Sequence, residues 1–173
     1  PWGYWQPSRF ARLSLGLVDL LPVNEFGRRC AFLLRRPVKK GRQLNYDREV
    51  WGLRLRLMAR GNLTEQRWLT MPAFHDLEER TYLAENLKEG DVFLDIGANA
   101  GFYTMWVLSR FKESVKVIAV EPNQELRKRL SFNLGINGLT GSAKLLEYAV
   151  TPENGELVLE ETAGNLGQGR VVG

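Results

Sequence analysis

The sequence predicts an α/β protein. Residues 76–173 read as part of a doubly wound parallel sheet, its first three strands with their helices, and residues 1–75 as a basic N-terminal extension, β-rich and mixed, with a short helix. Three observations predict this. From Val92 onward, short apolar runs alternate with segments of helical periodicity. A glycine-punctuated turn, Gly97-Ala98-Asn99-Ala100-Gly101, joins the first run to the helix after it. Charge also divides the chain: residues 1–75 carry 14 Lys and Arg against 5 Asp and Glu, whereas residues 76–173 carry 10 against 15.

The extension gives weaker signals. "RFARLSLGLVDLL" places Phe10, Leu13, Leu17 and Leu20 or Leu21 at helical spacing and predicts a short amphipathic helix. "CAFLLRRPVKKGRQL" predicts two extended pieces around a basic turn at Pro37–Gly41. Its run Arg35 to Arg42 has five cations in eight residues; it suits a phosphate, and a solvated hairpin tip explains it better. "WGLRLRLMAR" alternates Trp51, Leu53, Leu55 and Leu57 with polar residues, the pattern of a half-buried strand. Arg67 to Phe74 predicts another extended piece, ended at Pro72.

The rest of the chain is clearer. "DLEERTYLAENLKEG" predicts a helix capped by Asp76, with Leu77, Leu83, Ala84 and Leu87 inward and Gly90 as its stop. Val92–Ile96 is a continuous apolar run, expected of a parallel strand covered on both faces. Phe102–Phe111 predicts a helix, Val115–Val120 a second buried strand, and Gln124–Leu134 a helix with Leu126, Leu130 and Leu134 on one face. Ala143–Val150 predicts a third strand.

Composition narrows the function classes. At 173 residues with 44% hydrophobic and 25% charged residues, the chain is long enough for one ordinary core. Cys30 is its only cysteine and His75 its only histidine, so no disulfide framework and no structural metal are expected. A reducing, cytoplasmic setting is the default. No apolar stretch approaches the roughly 20 residues of a membrane span.

In doubly wound sheets, ligands bind beyond the carboxyl ends of the strands. Here the first strand ends at Asp95-Ile96-Gly97. Gly97 and Gly101 lack a Cβ and admit close approach by a ligand, and amides 100–103 at the helix start are candidate anion donors. Glu121 ends the second strand 20 residues beyond Gly101, where a carboxylate can accept both hydroxyls of an unphosphorylated ribose. The ligand expected is a nucleoside derivative, either a dinucleotide or S-adenosylmethionine. The spacing departs from G-x-G-x-x-G, with Asn99 and Phe102 at two of its glycine positions. Asp95 weighs further, because it would repel a pyrophosphate but hold the ammonium of a methionyl group, and Phe102, Tyr103 and Thr104 follow in the first turn. S-adenosylmethionine is therefore the expected cofactor. A bare strand–glycine–helix turn, with Asp95 only capping the helix, is the plain alternative.

"VFLDIGANAGFYT", "VIAVEPNQE", "NLGINGL" and "YAVTPENGELVL" together resemble the FkbM-type family of S-adenosylmethionine-dependent methyltransferases, over roughly residues 50–173. The resemblance implies a Rossmann-like class I methyltransferase sheet, of which this sequence carries the N-terminal and cofactor-binding part. It implies a cofactor loop of Asp95, Gly97, Ala98, Asn99 and Gly101, with Glu121 on the ribose, Pro122 and Asn123 on the adenine side, and Ala149 and Val150 against the adenine. Members of the family mostly O-methylate hydroxyls on sugars or natural products, so a small hydroxylated acceptor is the expected partner. The family continues with further strands and an acidic K-x-D-x-E-G type motif at the acceptor site, which this sequence lacks. That leaves the catalytic residues unassigned and implies an open sheet edge, covered by a further C-terminal segment or by a second copy.

Methyl transfer to a hydroxyl gains from a base within hydrogen-bond reach. His75 is a candidate for that base, with a packing or surface role as its plain alternative, and Asn165 a candidate for the edge of the acceptor pocket, with a flexible loop as its alternative. Rival readings are an RNA methyltransferase, suggested by the basic first half, and a non-catalytic cofactor-binding or interaction module. A dehydrogenase is more distant.

Overall fold

The structure, a computed structural model, describes residues 1–152, 155, 158–160 and 170–172. Helices α1 (Arg9–Asp19), α2 (Glu25–Leu34) and α3 (Arg36–Lys40) precede a hairpin of β1 (Asn45–Val50) and β2 (Leu53–Met58). Then come α4 (Leu63–Thr70), α5 (Leu77–Asn86), β3 (Val92–Ile96), α6 (Phe102–Phe111), β4 (Lys116–Val120), α7 (Gln124–Ile136) and β5 (Ala143–Leu146). A short antiparallel pair, β6 (Val158–Glu160) and β7 (Arg170–Val172), closes the order.

Strands β3, β4 and β5 form a parallel sheet in that order, the α/β architecture that the alternation predicts. Leu126, Leu130 and Leu134 are buried on one face of α7, as their spacing requires. Strand β3 departs from expectation. It pairs only with β4 among the described strands, and Val92, Leu94 and Ile96 are 56%, 52% and 57% exposed. One face of its apolar run therefore meets solvent, while on the other Phe93 packs against the core and Asp95 is buried. Strand β5 stops at Leu146, so Ala149 and Val150 lie past the strand, not at its end.

The extension is more helical than its sequence pattern predicts. Residues 30–40, expected to be an extended piece running into a basic turn, lie instead in α2 and α3. Asn24 caps α2 through its side chain on the Gly27 amide at 2.9 Å, Glu25 pairs with Arg28 and Arg29 one turn on, and Pro37 sits in the first turn of α3, where a missing amide is harmless. The basic run is thus helical and not a hairpin tip. Arg67 to Thr70, also expected to be extended, ends α4, whose N-cap Asn62 accepts from the amides of Thr64 and Glu65 at 3.0 and 3.2 Å. Helix α5 forms as predicted, but Asp76 does not cap it with its side chain and adopts a left-handed backbone, φ +45°. Its buried residue is Arg80, which donates to the carbonyls of Pro72, Ala73 and His75, while Leu77 stays outside. Helix α1 also forms, rotated: it buries Ala11, Ser14, Leu15 and Val18 and leaves Phe10, Leu13, Leu17 and Leu20 exposed.

Both halves of the chain share one apolar core, running from Ala11 and Leu15 through Leu55, Leu57 and Trp68 to Met105, Val117 and Leu130. The β1–β2 hairpin turns at Trp51-Gly52, both with positive φ, as a two-residue turn requires. The other edge of β2 is closed by side chains of α7 and its C-cap. Asn133 receives the Arg56 amide at 2.8 Å and gives its own NH2 to the Arg56 carbonyl at 3.3 Å, and Asn137 treats Arg54 in the same way at 2.8 and 2.6 Å. The match is geometric: four residues of helix advance about 6 Å and two residues of strand about 6.6 Å. Two helical amides thus stand in for a neighbouring strand. Below them Arg129 of α7 pairs with Glu65 of α4 at 2.5 Å; Glu65 is fully buried, and burial raises its pKa against the pull of Arg129.

Candidate functional site

Strands β3 and β4 end level, Ile96 opposite Val120, and the loop that follows folds over the end of β4. The amides of Gly97 and Ala98 both donate to the Val120 carbonyl, at 2.8 and 3.0 Å. Asn99 then takes a left-handed backbone, φ +55°, which aims its amide at Glu121 Oε2, 2.8 Å away. Glu121 Oε1 receives the Asn123 amide at 2.8 Å. Each carboxylate oxygen therefore has one backbone donor and keeps acceptor capacity for another. The two loop glycines serve different ends. A Cβ on Gly101 would lie 2.3 Å from Leu130 Cδ1, so this glycine lets α6 close on α7. A Cβ on Gly97 would meet nothing within 4 Å, and its φ of +72° holds the bend open to solvent.

Asp95 points the other way. Its Oδ2 accepts from the Thr104 amide at 3.0 Å and the Thr104 hydroxyl at 2.6 Å, tying β3 to the first turn of α6. Burial raises its pKa, the Thr104 bonds oppose the shift, and the charge of Glu121 adds to it. The plain capping role is therefore real, and no described residue donates to the other oxygen, Oδ1. The amides expected to greet an anion are partly spent: Ala100 donates to Asn99 Oδ1 and Gly101 to the Ala98 carbonyl.

Phe102, read as a site residue, is 2% exposed and turns into an aromatic cluster with Trp51, Trp68 and His75. Thr104 is fully buried under Asp95. Tyr103 is half-buried and donates from its hydroxyl to Asp76 Oδ2 at 3.0 Å; burial, then the Asp76 carboxylate, pushes its pKa up. Asp95, Ile96, Gly97 and Tyr103 line a cleft of about 730 Å³ along the uncovered side of β3, with Glu79 and Tyr82 of α5 opposite.

On the far side of the loop, Asn123 caps α7 through the amides of Glu125 and Leu126, at 2.9 and 3.1 Å. The Pro122 carbonyl takes a guanidinium bond from Arg127, which also pairs with Glu147 at 2.9 Å. So Asp95, Gly97, Ala98, Asn99, Gly101, Thr104, Glu121, Pro122 and Asn123 come together at the ends of β3 and β4. Ala149 and Val150 sit beyond β5, and Val150 is 64% exposed. Asn165 lies outside the described residues. His75 is buried, its Nδ1 3.0 Å from Asp76 and its ring on Phe102, with Nε2 unpartnered among the described residues. Burial lowers its pKa, partly offset by Asp76, so the ring is held neutral inside the core.

One contact at the loop has no signal in the sequence. Asn62, the cap of α4, donates from Nδ2 to Asn99 Oδ1 and so braces the loop from the extension. Asn62-x-x-Glu65 is a legible helix start, but nothing in the spacing points to Asn99.

The chain matches no protein-family model and no curated protein sequence. Among solved structures, 21 chains resemble it. One is TYW2 of Pyrococcus horikoshii in complex with MeSAdo, 19% identical over 61% of this chain and 36% of that one, TM-score 0.46. Another is a SAM-dependent O-methyltransferase of Thermotoga maritima, 26% identical over 41% of this chain and 28% of its own, TM-score 0.37. A SAM-dependent methyltransferase of Agrobacterium tumefaciens is 12% identical over 61% of this chain and 33% of its own, TM-score 0.41. The chain thus spans about a third of the length of these solved proteins.

Proposed function

We propose that the chain is the cofactor-binding part of an S-adenosylmethionine-dependent methyltransferase of the FkbM type, acting on a hydroxyl of a sugar or small natural product. One observation carries the reading: two carboxylates, Asp95 and Glu121, flank the open bend at Gly97, and Glu121 reaches its loop through the Asn99 amide. A diphosphate laid on this bend would lie against Glu121 and close to the charge of Asp95, whose Oδ2 is held by Thr104. A ligand with an ammonium and a 2′,3′-diol would be favoured by both.

The residues present fit that cofactor. Glu121 keeps acceptor capacity for ribose hydroxyls, Asp95 is among the residues that line the cleft, and the space beside Gly97 is empty of protein. Pro122 and Asn123 flank the base side. When bound, the sulfonium supplies an electrophilic methyl group. This chain's residues hold and orient it, since alignment of acceptor, methyl and sulfur is what the displacement needs. His75 is not proposed as the base, because its ring is buried on Phe102.

Calorimetry of the chain with S-adenosylmethionine, S-adenosylhomocysteine and nicotinamide adenine dinucleotide tests the reading. Binding of the two sulfur nucleosides alone is expected. Binding of the dinucleotide alone at this bend would overturn it. Transfer assays with hydroxylated sugars beside transfer RNA then separate the small-acceptor reading from RNA methylation.

A further inference from the structure

Helix α1 has an apolar stripe that its own fold leaves unused. Ala11, Leu15 and Val18 are buried, while Phe10, Leu13, Leu17 and Leu20 are 81%, 62%, 43% and 82% exposed. At about 100° per residue, the four exposed side chains fall within an arc of about 80°, so they form one continuous stripe. A single exposed leucine is ordinary; four in a row, led by Phe10, are a surface made to be covered. The apolar character continues through the α1–α2 turn into the start of α2, where Val23 and Phe26 are 51% and 68% exposed.

The surrounding charge indicates the cover. Residues 1–42 hold nine Lys and Arg against two Asp and Glu. Both acids are engaged, Asp19 with Arg48 and Glu25 with Arg28 and Arg29. Arg9 and Arg12, both exposed, occupy the helical arc next to the stripe on its solvent side. A second copy would set these cations against their own kind, and the cores of protein interfaces are depleted in charge. A nucleic acid would satisfy the arginines and leave Phe10 and the leucines in water. The boundary of an anionic bilayer takes both, burying apolar side chains among the acyl chains while arginines meet the phosphates.

We propose that α1 and the α1–α2 turn dock in the plane of an anionic lipid surface. The contact is peripheral, since no helix among the described residues is long and apolar enough to cross a membrane. It is independent of the cofactor reading, because it uses none of the loop residues.

Flotation of the whole chain with vesicles tests it, using phosphatidylcholine alone and phosphatidylcholine mixed with phosphatidylglycerol. The chain is expected to float with the mixed vesicles and to be released as salt is raised. F10S/L13S, folded by circular dichroism, is expected to lower the partition constant about tenfold or more. R9E/R12E is expected to remove the preference for the anionic vesicles. Absence of flotation with the mixed vesicles would overturn the proposal, as would binding unchanged in F10S/L13S. So would self-association that F10S/L13S abolishes in a chain that ignores vesicles.

Discussion

Glu121 is where residue chemistry and ligand choice meet. Its carboxylate is held by two backbone amides and faces the loop, so Glu121→Ala removes the acceptor proposed for the ribose without filling the space. Affinity for S-adenosylhomocysteine is expected to fall by about 1–3 kcal/mol in calorimetry, the scale for hydrogen bonds to a charged group. The two loop glycines should separate binding from stability. Gly97→Val places its side chain in open space and is expected to abolish cofactor binding, with strain at φ +72° as its cost to the fold. Gly101→Val drives a side chain into Leu130 and is expected to lower the urea midpoint further, whatever it does to binding. His75 gives a pH signature. Its folded pKa is depressed, so below about 6.5 the unfolded chain takes up a proton that the folded chain refuses, and stability falls with pH until the folded pKa is passed. Unfolding midpoints from pH 8 to pH 5 are expected to slope less in His75→Asn than in the parent chain.

At the scale of elements, the α7–β2 contact is the joint between the two halves. Asn133 is fully buried, and its loss strands an amide and a carbonyl of Arg56. Asn137 serves the more exposed Arg54, whose groups water can satisfy. Asn133→Ala is therefore expected to cost about 1–3 kcal/mol in urea denaturation, and Asn137→Ala clearly less. The strand–helix alternation from Val92 to Leu146 was legible because each element there carries its own period. Helices α2 and α4 were not, since their apolar residues cluster in short runs that also suit strands. Their caps, Asn24 and Asn62, were the better signal. In α1 the periodicity gave the helix but not its orientation, because the stripe that looks like a core face is the one left outside. At the site, the loop and Glu121 could be read from spacing alone, whereas the turn of Asp95 toward Thr104 and the inward rotation of Phe102 depend on how α6 packs.

Across the whole molecule, the sheet's open side sets behaviour. Val92, Leu94 and Ile96 present an apolar edge beside the cleft that Asp95 and Tyr103 line. An unpaired strand edge of this kind is a template for pairing with another strand. The isolated chain is expected to self-associate with rising concentration, and Leu94→Lys to shift it toward monomer in sedimentation velocity. Charge adds to the picture: the basic first half and acidic second half are joined by Arg129 and Glu65 in the opposite sense, a second-half cation on a first-half acid.

Asn62 spans the two halves with a single side chain, its oxygen on the opening turn of α4 and its nitrogen on Asn99. A change at the bend that moves Asn99 would thereby be passed to the start of α4. If the proposed site is right, deuterium uptake at Thr64 and Glu65 is expected to slow on adding S-adenosylhomocysteine, making that remote turn a gauge of whether the pocket is filled.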